Sequence, residues 1–167
     1  MISISLGLPS AVVSQSDPVV WVSPSLVYLE SGESATIEIR VKDVTALFGF
    51  ALEVHFDPAK ILAGSTALGD FLEPGLKPID HVDNDNGIIQ YEMTQIGTET
   101  TSKSGSGVLM VFEITLLEAV SETGLVIDSI LLTDRNGIEI PCDLEHGKIM
   151  TPGFSPEYSV FLPLVLR

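Results

Sequence analysis

The sequence is poor in the residues that most often carry chemistry. It has one cysteine, Cys142, and three histidines, His55, His81 and His146. A single cysteine excludes an internal disulfide and a thiol-rich metal cluster. Cys142 lies between Pro141 and Asp143 near an apolar run and reads as a small packed residue. A catalytic thiol needs a histidine partner, and none of the three histidines falls in a recognisable nucleophile motif. Basic residues are scarce as well: 8 Lys and Arg against 23 Asp and Glu give a net charge of −15. A field of that sign repels phosphate backbones and anionic lipid, so nucleic acid is not expected as a partner. Basic partners and divalent cations are tolerated, and the same acidity would keep an extracellular domain soluble. No apolar run approaches the roughly 20 residues of a membrane helix, so membrane insertion is not expected.

Catalytic signatures are missing too. The sequence holds no Gly-x-Ser-x-Gly elbow, no P-loop and no His-Glu-x-x-His helix. Among 23 acids some pair will always be close, and nothing marks one pair for glycoside hydrolysis. No catalytic residue is assigned, and a non-enzyme is expected.

What is present is strand grammar. The 167 residues are 45% apolar, enough to bury the core of one domain. Residues 35–41 alternate, with Ile37, Ile39 and Val41 on one face and Thr36, Glu38 and Arg40 on the other. Residues 48–56 repeat the pattern: Phe50, Leu52, Val54 and Phe56 against Ala51, Glu53 and His55. Period-two alternation is the mark of a half-buried strand. Asp57-Pro58 stops that strand, since proline cannot donate to a ladder. Residues 77–82 read as a strand, followed by the turn Asp83-Asn84-Asp85-Asn86-Gly87. Residues 88–96 alternate again, with Ile89, Tyr91 and Met93 opposite Gln90, Glu92 and Thr94. Residues 97–107, rich in Ser, Thr and Gly, read as a mobile loop. Residues 108–117 read as a central strand, and 125–132 as a further strand. No capped helix of ten periodic residues is found. About nine short strands at turn-punctuated spacing predict an all-β sandwich with jelly-roll topology.

Two features invite a ligand. Asp83, Asp85 and Gly87 hint at a calcium loop, but the glycine comes at position five and Thr94 stands where an EF-hand needs glutamate. A hairpin turn is the simpler reading, with weak cation binding left open. Stacked sugars would need an exposed aromatic strip. Trp21, Tyr28, Tyr91 and Tyr158 lie on separate segments, and Tyr91 falls on a core face.

The order of these segments resembles the cohesin modules of bacterial scaffoldins and cell-surface proteins. The resemblance spans residues 20–149. It includes Ser31-Gly32-Glu33 before Thr36-Ile37-Glu38-Ile39, and Leu47-Phe48-Gly49-Phe50-Ala51-Leu52-Glu53-Val54-His55-Phe56-Asp57-Pro58. It continues through Gly87-Ile88-Ile89-Gln90-Tyr91, Gly105-Ser106-Gly107-Val108-Leu109-Met110-Val111-Phe112-Glu113-Ile114 and Leu131-Leu132-Thr133-Asp134-Arg135-Asn136-Gly137-Ile138-Glu139-Ile140. The resemblance implies a nine-stranded jelly roll and a dockerin-bearing protein as partner, at the cell surface or outside the cell. It implies a binding face of Ala51, Glu53, His55, Asp80, Val82, Gln90, Glu92 and Thr94, with no cofactor and with calcium on the partner. A polysaccharide-binding sandwich and a structural or adhesion domain are the alternatives. Residues 1–18 read as a flexible leader or signal remnant, 19–150 as the sandwich, and 151–167 as a Pro/Gly linker with an apolar tail.

Overall fold

The computed structural model describes residues 17–97 and 100–153. The expected leader and apolar tail fall almost wholly outside these residues. Twelve strands follow in order: β1 (Val19–Ser23), β2 (Leu26–Tyr28), β3 (Ser34–Leu47), β4 (Gly49–Phe56), β5 (Ile61–Leu68) and β6 (Leu76–Asp83). Then come β7 (Ile88–Thr94), β8 (Lys103–Leu116), β9 (Thr123–Thr133), β10 (Glu139–Ile140), β11 (Asp143–Glu145) and β12 (Gly147–Met150). Three of these, β2, β10 and β11, have only two or three residues; the other nine are longer.

The strands form two sheets. One has the order β11-β1-β3-β8-β5; the other runs β2-β12-β9-β4-β7-β6, with β10 paired to β9. From β3 to β6, and again from β7 to β9, successive strands cross between sheets, as in a jelly roll. Alternation explains which face is buried. In β4, Phe50, Leu52, Val54 and Phe56 are buried while Ala51, Glu53 and His55 are half-buried on the other side. Ile89, Tyr91 and Met93 of β7 join them, with Ile37, Ile39 and Val41 of β3 and Met110, Phe112 and Ile114 of β8 facing from the opposite sheet. Phe50 and Tyr91 stack with centroids 5.9 Å apart.

The segment 97–107 is not a loop throughout. Its second half begins β8, which pairs with the far end of β3 as Val44↔Gly105 and Leu47↔Lys103. The pairing is bulged, and Asp43 and Ala46 take positive φ there, at 58° and 59°. Two serines make this possible: the backbone N–H of Asp43 donates to Ser106 Oγ (3.2 Å) and that of Ala46 to Ser104 Oγ (2.9 Å). The hydroxyls that made the segment look like a loop satisfy backbone donors that the bulges leave unpaired.

Cys142 is half-buried and packs against the core, and burial, with Asp143 and Glu139 nearby, pushes its thiol pKa up. That environment disfavours the reactive thiolate.

Candidate functional site

The outer face of the seven-stranded sheet is set by β4 and its neighbours. Cross-strand partners share a face, so the register can be read outward from β4. Ala51 pairs with Glu92 on one side and Leu131 on the other; Glu53 pairs with Gln90 and Ser129; His55 pairs with Ile88 and Val126. β7 passes the face on to β6 through Glu92↔Ile79 and Gln90↔His81. Gly49↔Thr94 closes it at one end.

Six of the eight residues expected on this face lie on it: Ala51, Glu53, His55, Gln90, Glu92 and Thr94. Asp80 and Val82 do not. They pair with Tyr91 and Ile89, both core residues, so their side chains point to the inner side. Val82 packs against the core. Asp80 accepts a hydrogen bond from Thr66 Oγ1 of β5 and pairs with Lys77, linking the two sheets across their open edge. The β6 residues that do face outward are Ile79 and His81. The cause is a register shift between Leu76 and Ile79 in a strand whose sequence does not alternate; with a period of two, one residue of slip exchanges the faces.

The face also takes residues from β9, a strand that the sequence predicts without assigning either of its faces. Leu131 is 42% exposed, Val126 39%, and Ile79 of β6 41%. Of the large apolar side chains exposed on described strands, only Leu62 belongs to the five-stranded sheet; the rest lie on this one. Ala51, Glu53, Ile79, Gln90, Glu92 and Leu131 surround a shallow depression of about 240 Å³. A weak signal for β9 existed: Asp128-Ser129 interrupts an otherwise apolar run.

Polar groups converge at the middle of the face. Gln90 Nε2 donates to Glu53 Oε2 at 2.8 Å, and His55 Nε2 lies 2.5 Å from Glu53 Oε1. The Gln90 amide, and then the His55 ring, hold the Glu53 carboxyl below the usual carboxylate range. Glu92 has no ion-pair partner among the described residues, which leaves its carboxylate open to a cationic or hydroxyl donor. β9 bulges opposite Glu53 and Val54, which pair with Ser129 and Ile127 and leave Asp128 as the extra residue. That bulge brings a carboxylate of Asp128 near Glu53 and His55; one donor atom from each lies within 4.8 Å of the others.

The acidic turn after β6 is a hairpin. Asp83 Oδ1 accepts the backbone N–H groups of Asp85 and Asn86, both at 3.0 Å, and its Oδ2 accepts from Asn86 Nδ2 at 2.8 Å. Asn84 makes a two-way bond with the Ala63 backbone of β5, at 2.8 and 2.9 Å. Gly87 sits at φ +71° with its carbonyl accepting from Phe56 N. The Asp83 carboxylate is thus engaged within the turn, and the Asn84 amide with β5. The aromatics form no row: Tyr91 is buried, Tyr28 is exposed on β2, and Trp21 lies on the other sheet between Arg40 and Lys42. Tyr158 is outside the described residues.

No protein-family model matches the chain. No curated protein matches its sequence. Solved structures do match. The third cohesin of ScaC from Acetivibrio cellulolyticus, solved with the ScaB dockerin, has a TM-score of 0.70 at 15% identity over 80% of this chain and 98% of its own. CaCohA2 from Clostridium acetobutylicum has a TM-score of 0.67 at 16% identity, over 85% and 95%. A non-cellulosomal cohesin from the archaeon Archaeoglobus fulgidus has a TM-score of 0.64 at 11% identity, over 85% and 94%. Similarity at this level over most of each chain, despite little shared sequence, shows that the chain has the cohesin fold.

Proposed function

We propose that this chain is a non-catalytic interaction module that binds a dockerin-type partner through the outer face of β9-β4-β7-β6. The observation that carries the reading is the concentration of exposed apolar side chains, Ile79, Val126 and Leu131, around Glu53, Gln90 and Glu92 on one flat sheet. Exposed apolar side chains around a polar centre, with the Glu92 carboxylate open to a donor, suit a protein surface better than a small substrate. Several solved cohesins of the same fold carry a bound dockerin. The acidic face fits a partner that presents Lys, Arg or hydroxyl donors, and the partner brings its own calcium. A secreted or cell-surface setting follows from the same reading, as does the absence of catalysis.

The test is titration of purified dockerins from the source organism, in calcium, against the wild-type chain and a Leu131→Glu variant. Binding that the variant weakens by tenfold or more supports the proposal; that loss corresponds to about 1.4 kcal/mol. If no dockerin binds, or if the variant binds as well as the wild type, this face is not the docking surface.

A further inference from the structure

The centre of the face gathers one imidazole and two carboxylates. Glu53 and His55 are two residues apart on β4, so their side chains leave the sheet on the same side. Asp128 reaches them only because β9 carries an extra residue at that point. One imidazole nitrogen and two carboxylate oxygens therefore converge, all within 4.8 Å of one another. Donors that share a tetrahedral zinc ion lie about 3.3 Å apart, given metal–ligand bonds of roughly 2.0–2.2 Å. The His55–Glu53 hydrogen bond, at 2.5 Å, opens to that spacing when an ion replaces the shared proton, and Asp128 is exposed and can turn toward it.

We propose that Glu53, His55 and Asp128 form a surface site for a divalent transition-metal ion of the zinc class. The donor set selects the ion. Imidazole suits zinc, copper and nickel, whereas calcium takes six to eight oxygens and gains little from a nitrogen. Three protein ligands leave one position of a tetrahedral ion open, for water or for a side chain from a docked molecule. The net charge of −15 raises the local concentration of cations near the face. Gln90 holds the second oxygen of Glu53 and so fixes the direction of the carboxylate. The site does not depend on the docking proposal: a chain that takes up zinc and binds no dockerin leaves it standing.

Calorimetric titration of the full chain with zinc chloride tests it. Wild type binds one ion; His55→Ala and Asp128→Asn each weaken binding on the order of tenfold or more. His81→Ala, His146→Ala and Cys142→Ser bind as the wild type does, which separates the site from the other imidazoles and the thiol. Calcium chloride gives no comparable heat. An NMR spectrum in which zinc shifts the His55 ring resonances and leaves those of His81 unchanged reads the ligand directly. Equal zinc affinity in the wild type and in His55→Ala overturns the proposal, as does loss of binding in Cys142→Ser alone.

Discussion

Tyr91 is 1% exposed, yet its hydroxyl finds no hydrogen-bond partner among the described residues. Its ring is well placed: it stacks on Phe50 at 5.9 Å, and Lys77 Nζ lies 5.5 Å from its centroid. Burial pushes the phenol pKa up, as expected for a group cut off from water. The ring and the hydroxyl therefore pull in opposite directions. An unsatisfied buried hydroxyl costs about 1–3 kcal/mol in lost hydration, and removing it restores part of that. Tyr91→Phe keeps the ring, the stack and the contact with Lys77, so it should stabilise the fold by about 1 kcal/mol. For a domain of this size that is a rise in Tm of about 2–4 °C. Tyr91→Ala should do the reverse, losing about 3–5 kcal/mol because the whole ring is core. Urea unfolding of the three proteins, followed by tryptophan fluorescence, measures both. A Tyr91→Phe protein less stable than the wild type by about 0.5 kcal/mol or more would show that the hydroxyl is bonded, and would refute the argument.

Gly87 permits the β6–β7 turn in two ways, by its φ of +71° and by the space beside Phe56, whose carbonyl oxygen would lie 2.1 Å from an added Cβ. Gly87→Ala should cost about 2–4 kcal/mol from strain and overlap together, read as a lower urea midpoint; an unchanged midpoint would disprove the clash. The Asp134 carboxyl is held below its ordinary value by the Ile138 backbone N–H and then by Asn136, and Asp83 is lowered by the Asn86 side chain. Folded pKa values below the unfolded one, about 3.9, give stability that is complete above that pH and lost as pH falls through the folded values. The midpoint should stay level above about pH 5 and drop below about pH 4, with a shallower drop in Asp134→Asn; equal acid slopes would argue against this source. Phe112→Ala, at a position 2% exposed on β8, should cost about 3–5 kcal/mol. Glu113→Ala, one residue on and facing water, should stay within about 0.5 kcal/mol, and similar losses at both positions would mean the face assignment of β8 is wrong.

The sequence made the fold readable where one face of a strand is wet and the other dry. β4 and β7 alternate cleanly, and all six of their expected face residues lie where the alternation put them. What the sequence left unassigned or misplaced depends on pairing between distant strands. β9 is nearly all apolar through 125–132, so nothing local says that Val126 and Leu131 face outward while Ile127 and Leu132 are buried. The bulge at Asp128 depends on how β9 meets β4, a contact between residues about 75 positions apart in the chain, and no window of sequence contains it. β6 lacks alternation because it is an edge, and its register shift reversed the facing of Asp80 and Val82. The start of β8 looked like a loop because its serines serve bulges in β3, again a long-range pairing.

The strands that border β4 and β7, β9 and β6, are where local pattern says least about facing, and there is a reason. A sheet face that binds another molecule must leave apolar side chains in water until it does so, which breaks the rule that patterning relies on. The hazard of such a face is sheet-to-sheet aggregation, and here the exposed residues sit where that hazard is small. Val126 and Leu131 lie on β9, an interior strand paired along its length by β4 and flanked on its other side by β12 at one end and β10 at the other. The open edge at β6 carries Lys77 and Pro78, a charge and a missing donor that discourage further strand pairing. Exposed apolar area in the middle of a sheet with a protected edge favours side-chain docking over strand addition. A helical partner resting across the face meets that condition; an extended peptide pairing with the edge does not. This is the physical ground for preferring a folded partner over a strand-donating one.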